Sequence, residues 1–340
     1  MTTLSAPYLV RHDPGVRPTM KDVATAAGVA LKTVSRVVNG EPGVHPATAE
    51  RVRAAIDRLG YSRNESARVL RRGRTATIGL VIEDVADPFY SGLSRAVEDV
   101  VIGHDCLLLT GSSGEKPVRE RELVETFCTR RVDGLIVVPA GDDHTYLRPE
   151  LEAGTKVVFA DRPPGAGLDV DTVLADNAGG AEQAIRHLLG HGHHRIAFLG
   201  DDPAIYTAAE RHRGYREALG GLYDPRLVSM RPPTLEGVRA DLDRMFALDR
   251  PPTALFTGNG RYTVTTLRAL AGRPIALVGF DDFELSDLLQ PGVTVVAQDP
   301  SWMGRVAAEL LFRRLRGDVG PPEHIQLPVR LIPRGSGELP

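Results

Sequence analysis

The stretch MKDVATAAGVALKTVSRVVN, Met20 to Asn39, distributes its apolar residues as two short helices meeting at a sharp turn. The first helix is expected over about Met20 to Ala27, with Val23, Ala24 and Ala27 on one face, and Gly28 breaks it. The second starts near Ala30 and carries Val34, Val37 and Val38 on its packing face, leaving Leu31, Lys32, Thr33, Ser35 and Arg36 outward. Small residues at Ala24, Ala26, Ala27 and Gly28 allow the close, steep approach that a helix-turn-helix requires. Short hydroxyls beside Lys and Arg suit phosphates and base edges in a major groove. The competing reading of this stretch alone is an ordinary helical hairpin with a solvated polar face.

The flanking sequence bears on that choice. His45-Pro46-Ala47-Thr48 reads as the entry to a third helix, with Pro46 in the tolerated first turn and Val52, Ala55, Ile56 and Leu59 as its apolar face. A three-helix headpiece ending at Gly60-Tyr61 results. Beyond it, Asn64 to Arg74 is short and basic, with Leu70 a single large apolar residue amid charge. Residues 1–74 hold 13 Lys and Arg against 6 Asp and Glu, so the near-neutral whole of −3 divides into a head of +7 and a body of −10. A basic end that displaces counterions from DNA has this asymmetry. A solvated basic tail would not be laced with periodic Val, Ala and Leu.

At 340 residues and 42% hydrophobic content, the chain has room for two or three domains. Cys106 and Cys128 lack metal-ligand or redox spacing and lie in apolar-periodic segments, which reads as buried free thiols in a reducing cytosol. No apolar run reaches the ~18–20 residues of a membrane span, and no secretion signal is recognisable, so a cytoplasmic protein without membrane association is expected. Residues 1–18 read as a loose tail.

From Thr75 onward, apolar runs alternate with amphipathic stretches. Strands are expected at 77–82, 106–110, 134–138, 156–160, 172–175, 195–199, 253–257, 275–280 and 293–297. Helices are expected at 89–102, 118–130, 181–189, 208–219, 235–248 and 262–270. Repeated strand–helix–strand order predicts parallel α/β architecture, with ligand-binding loops at the carboxyl ends of the strands.

In spacing and order the chain resembles the lactose/galactose repressor (LacI/GalR) family of bacterial transcription regulators. The family signature D-V-A-x-x-A-G-V-S-x-x-T-V-S-R-x-x-N reads here from Asp22 to Asn39, and its hinge Y-x-P-N-x-x-A-R-x-L from Tyr61 to Leu70. The body resembles a periplasmic sugar-binding protein, its landmarks being Asp87-Pro88-Phe89-Tyr90, Asp133-Gly134, Asp161-Arg162, Asp176-Asn177, Gly192-His193, Gly279-Phe280-Asp281-Asp282 and Gln298-Asp299. The resemblance implies a small all-α helix-turn-helix headpiece plus an α/β two-lobed periplasmic-binding-protein-like effector domain. It divides the chain into a tail (1–18), a headpiece (19–62), a hinge helix and linker (63–75), and an effector-binding and dimerisation domain (76–340). Within the last, lobe 1 covers about 76–172 and 301–325, and lobe 2 about 173–299 and 326–334.

A homodimeric repressor on a pseudo-palindromic double-stranded operator is implied, its affinity for DNA controlled by a small-molecule effector, a sugar or sugar derivative, in the cleft between the lobes. A nucleoside or another small polar metabolite is the alternative effector; a sugar-binding receptor without a DNA role is the alternative class. Leu31, Lys32 and Arg36 are expected at base edges, and Thr19, Thr33, Ser35, Asn39 and Tyr61 at phosphates. The hinge, with Asn64 and Ala67, is expected to become helical on DNA, and Leu70 to wedge into the minor groove. Vicinal hydroxyls call for planar bidentate partners and a sugar ring for an aromatic face. Asp87, Phe89, Arg162, Arg211, Asn259, Asp281 and Gln298 meet that demand just after expected strands or at helix starts, and match the family's effector positions. The alternative roles are structural: Asp87 caps a helix, Asp281 caps a turn, and Arg211 pairs with Glu217 or Asp201 on the surface.

Departures from the family pattern are specific. Ala30 stands where Ser usually caps the recognition helix, Arg63 where the hinge has Pro, and His45 where Ser or Thr precedes the third helix. Asn259-Gly260-Arg261 replaces an Asn-Asp pair in the cleft. Catalytic readings find little support. Gly111 to Lys116 has the wrong spacing for a phosphate loop, and no G-x-S-x-G elbow occurs. His191, His193 and His194 sit in a helix-to-strand turn with no nearby carboxylate or thiolate, so neither a metal nor a cofactor is expected.

Overall fold

The computed structural model describes residues 18–61 and 75–340, which form two units, the first N-terminal and the second starting near residue 74. In the first, α1 (Met20–Ala27), α2 (Leu31–Val38) and α3 (Pro46–Leu59) enclose a small core. Val23, Val34 and Val52 have no solvent exposure, and Tyr61 closes the core. Thr19 and Asp22 form a capping box at the start of α1: the Asp22 amide donates to Thr19 Oγ1, and the Thr19 amide to Asp22 Oδ2 at 2.7 Å. Gly28 ends α1 at φ 62°, a left-handed conformation that only glycine adopts without strain, and thereby sets the turn into α2. Ala30 and His45 precede α2 and α3 with no side-chain cap.

In the second unit, two six-stranded sheets carry helices on their faces. The first contains β1 (Thr77–Ile82), β2 (Leu107–Ser112), β3 (Gly134–Val137), β4 (Lys156–Ala160), β5 (Asp171–Ala175) and β11 (His324–Leu327), ordered β11-β5-β4-β3-β1-β2 and parallel throughout. The second contains β6 (Ile196–Gly200), β7 (Val228–Met230), β8 (Ala254–Thr257), β9 (Ala276–Phe280), β10 (Thr294–Ala297) and β12 (Arg330–Ile332), ordered β12-β10-β9-β8-β6-β7. Only β12 runs antiparallel to its neighbour. The chain passes between sheets three times, after β5, after β10, and in the short step from Leu327 to Arg330.

This places two boundaries differently from the sequence expectation. All of β5 belongs to the first sheet, which runs to Ala175 rather than 172, and β11 extends it to Leu327 rather than 325. The register explains both: Val173 pairs with Ala160 on one side and with Ile325 on the other, so neither strand can leave the first sheet. The strands β7, β11 and β12 escaped the periodicity reading because each has only three or four residues with mixed polarity.

The helices of this unit are α4 (Pro88–Gly103), α5 (Pro117–Thr129), α6 (Arg148–Glu152), α7 (Asn177–Gly190), α8 (Tyr206–Leu219), α9 (Leu235–Phe246), α10 (Gly260–Leu270) and α11 (Pro300–Leu315). Helix α11 lies against α4 on the first sheet, where a Cβ on Gly304 would come within 2.4 Å of the Leu93 carbonyl oxygen. Likewise α8 lies against α7 on the second sheet, and a Cβ on Gly214 would stand 2.2 Å from the Ala178 carbonyl oxygen. Cys106 and Cys128 are half-buried rather than buried, and burial pushes the Cys128 thiol up to about 12. No helix among the described residues is long and apolar enough to cross a membrane.

Candidate functional site

In each sheet the strand order reverses beside a central strand, between β3 and β1 in the first and between β8 and β6 in the second. Loops leave such switch points in opposite directions and open a crevice at the carboxyl ends of the strands. A cavity of about 410 Å³ lies there. Glu83, Asp87 and Asp161 enter it from the ends of β1 and β4, while Asp201, Asn259, Asp281 and Gln298 enter from β6, β8, β9 and β10.

Arg211 is the inward-facing anchor of the second-lobe wall. Only 4% exposed, it donates from Nε to Asn177 Oδ1 at 2.8 Å and from Nη1 to the Gly258 carbonyl at 2.7 Å. Its guanidinium carbon stands 3.8 Å from the Phe280 ring centroid, and Asp281 Oδ2 lies 3.6 Å from Nη1. The surface pairing with Glu217 or Asp201 is therefore not its role: Glu217 pairs with Arg213 instead. Asp281 adopts a left-handed φ of 70° and accepts from Gln298 Nε2 at 2.7 Å. Gln298 Oε1 and Asp161 Oδ1 are buried acceptors without a hydrogen-bond partner in the structure, the kind of group that a ligand hydroxyl satisfies.

Asn259 caps α10, accepting from the Tyr262 amide at 2.9 Å, and donates through Nδ2 to Asp201. Asp87 caps α4, its Oδ1 accepting from the Phe89 amide at 2.9 Å while Oδ2 remains toward the cavity. The capping role and a cleft role thus coexist on one carboxylate. Burial raises the pKa of Asp87, Asp161 and Asp201, opposed in each case by neighbouring arginines. Phe89 is half-buried at the rim, edge-on to Tyr90 with 5.0 Å between ring centroids.

Arg162 borders the cavity, but its two terminal nitrogens are occupied beneath it. Nη1 donates to Glu115 Oε1 at 2.7 Å and to the Pro139 carbonyl at 2.8 Å, and Nη2 to the Tyr90 hydroxyl at 3.1 Å. It braces the first-lobe wall. Glu83 and Asp201 are cleft-lining residues that sequence reasoning did not select, and Arg261, which departs from the family pattern in the cleft, lines it as well. The available signal was the one that selected Asp281: an ionisable residue directly after an apolar strand, as Glu83 is after β1 and Asp201 after β6.

The expected DNA-facing residues of the headpiece differ in their surroundings. Leu31 and Lys32 are exposed at the start of α2, with Leu31 at 45%, high for a large apolar side chain. Thr33, Ser35, Arg36 and Asn39 are half-buried, and Asn39 Nδ2 donates to Ser35 Oγ and Glu41 Oε1, each at 3.2 Å. Thr19 is exposed, though its hydroxyl also serves the capping box. Tyr61 is 7% exposed and its ring packs in the headpiece core. Asn64, Ala67, Leu70 and Arg63, with the rest of the hinge, lie outside the described residues.

The histidine turn is structural. His193 bridges Thr253 Oγ1 at 3.0 Å and the Leu339 carbonyl at 2.8 Å, and His191 contacts the His187 carbonyl at 2.9 Å. Among the described residues no group of three or more His, Cys, Asp or Glu is arranged to hold a metal ion.

Comparison with known proteins bears on both units. A family model of bacterial regulatory proteins of the lacI family matches residues 19–64, and one of a periplasmic binding protein-like domain matches residues 185–337. The HTH-type transcriptional regulator CelR of Thermobifida fusca is 36% identical, aligned over 94% of this chain and 98% of its own. Catabolite control protein A of Priestia megaterium is 30% identical over 94% of this chain and 98% of its own. The solved structure of a transcriptional regulator CelR–cellobiose complex superposes with a TM-score of 0.69 at 33% identity, covering 94% of this chain and all of that one. A helix-turn-helix headpiece and a two-sheet α/β body with a polar cleft define a DNA-binding transcriptional regulator rather than an enzyme. The chain belongs to the lacI family of bacterial regulatory proteins.

Proposed function

We propose that this regulator is a cytoplasmic homodimeric repressor whose affinity for a pseudo-palindromic operator is set by a small neutral effector, a sugar or sugar derivative, bound between the lobes. The observation that carries this reading is the cavity of about 410 Å³ at the carboxyl ends of both sheets, within the range of small-molecule sites. Its walls offer Arg211, Asn259, Asp281 and Gln298 as planar hydrogen-bonding groups and Phe89 as a ring face, with Asp87 at the rim and Arg162 bracing the wall. A relative at 36% identity is the CelR regulator, and the similar solved structure of a CelR–cellobiose complex supports a sugar as the ligand class. In the headpiece, Leu31, Lys32 and Arg36 reach base edges, and Thr19, Thr33, Ser35 and Asn39 serve phosphates. Asn64, Ala67 and Leu70 act in the hinge, Leu70 as a minor-groove wedge.

Effector binding favours one arrangement of the lobes and thereby changes the spacing of the paired headpieces. A gel-shift assay with the DNA upstream of the protein's own coding region tests the reading. A sequence-specific shift that cellobiose, another sugar or a nucleoside strengthens or releases is expected. No specific shift under any of these conditions overturns operator control, and a shift unaffected by every ligand overturns effector control.

A further inference from the structure

Arg261, on the first turn of α10, projects from the second lobe into the cavity and is 41% exposed. Its Nη1 lies 2.8 Å from Glu83 Oε1 and its Nε 3.5 Å from Asp87 Oδ2, both on the first lobe; its Nη2 lies 3.8 Å from Asp201 Oδ2 on the second. Three carboxylates from two lobes therefore converge on one guanidinium. Glu83 is 5% exposed and Asp201 8%, so neither charge is relieved by bulk water alone. Of the other cleft arginines, Arg162 is committed chiefly to Glu115, with Glu83 Oε2 at 3.5 Å from its Nη2, and Arg211 to Asn177, Gly258 and Asp281.

We propose that Arg261 is the specificity-determining residue of the cleft: it fills a three-carboxylate slot from within, ties the lobes together, and so restricts the effector to uncharged polyhydroxylated molecules. A cationic ligand would have to evict Arg261 from the slot. An anionic ligand would have to draw the guanidinium away, leaving Glu83 with only Arg162 Nη2 at 3.5 Å and Asp201 with only the Asn259 amide, in a site of low dielectric beside a further negative charge. A neutral polyol shares the carboxylates' remaining lone pairs without disturbing the pairing. This inference deepens the proposed effector function and rests on it for the identity of the ligand, though not for the slot itself.

The test uses the full chain as wild type, Arg261→Ala and Arg261→Gln, with binding followed by calorimetry and thermal shift. Methylguanidinium chloride, against sodium chloride as the control, probes the slot directly. Both variants are expected to bind it at least tenfold more tightly than the wild type, and Arg261→Gln supplies the measurement if the alanine variant does not fold. Equal responses of wild type and variants overturn the slot. Cellobiose and its aldonic acid, cellobionate, probe selection, with the wild type expected to prefer the neutral sugar at least tenfold; equal affinity overturns the charge restriction. If no neutral sugar binds the wild type, the sugar-effector reading fails, and the methylguanidinium contrast decides the role of Arg261 independently.

Discussion

The guanidinium of Arg211 lies 3.8 Å from the centroid of the Phe280 ring, pinned edgewise by Asn177 and the Gly258 carbonyl. Stacking and fixed donors together hold the plane of this side chain, which a flexible ammonium cannot reproduce. Arg211→Lys is therefore expected to weaken cellobiose binding at least tenfold while leaving operator affinity without ligand within about threefold. Calorimetry and gel shift measure the two quantities. Unchanged sugar affinity would remove Arg211 from the effector site.

Lys32 and Arg36 are expected to contribute to DNA binding in different ways. Lys32 stands exposed at the start of α2, and Arg36 is half-buried one turn on. Arg36→Ala should cost specific binding by about 1–3 kcal/mol and relax sequence preference at one position of each half-site. Lys32→Ala should do the same if it reads a base. A uniform loss across sequences, with a shallower salt dependence, would instead assign it to phosphate. Operator variants titrated at two salt concentrations distinguish these outcomes.

Ala30 precedes α2 with an extended backbone and no side-chain cap, leaving the first amides of the helix without the usual hydroxyl acceptor. Ala30→Ser should stabilise the headpiece by about 1 kcal/mol. Hydrogen exchange at the Lys32 and Thr33 amides is expected to slow about fivefold, the factor that this energy corresponds to. Faster exchange in the variant would show that the extended backbone at this position does not present a serine hydroxyl to those amides.

His144 supplies a pH dependence of known sign. Its ring is 1% exposed, with Nδ1 2.7 Å from the Pro164 carbonyl and Nε2 2.7 Å from Glu120 Oε1. Burial pulls its pKa down, but Glu120 more than offsets this, and the value is raised above that of a free imidazole. A protonated ring places its positive charge 2.7 Å from Glu120 Oε1, so the site favours the charged form. The stabilisation is thus complete below the unfolded-state pKa of about 6.5 and is lost as pH rises through the higher folded value. Urea midpoints at pH 6 and pH 8.5 should differ more for the wild type than for His144→Gln. An equal difference would show that the pair does not titrate in this window.

The sequence by itself determined what is encoded within a few residues. The helix pair from Met20 to Asn39 follows from apolar spacing and from a glycine where the backbone turns left-handed. The parallel α/β body follows from apolar runs alternating with amphipathic helices, and the candidacy of Asp87, Asn259 and Asp281 from their places just beyond strands. Only the tertiary structure decided which lobe claims β5 and β11, since strands this short carry too little pattern to name their neighbours. It alone turned Arg211 inward onto Phe280, sent Tyr61 into the headpiece core and committed Arg162 to Glu115. Above all, it brought Glu83 and Asp87 of one lobe to Arg261 of the other. Local spacing specifies secondary structure, because helix and strand periods span a few residues. Charge partnership in a cleft depends on where distant strands end, and that is settled when both sheets have formed and face each other.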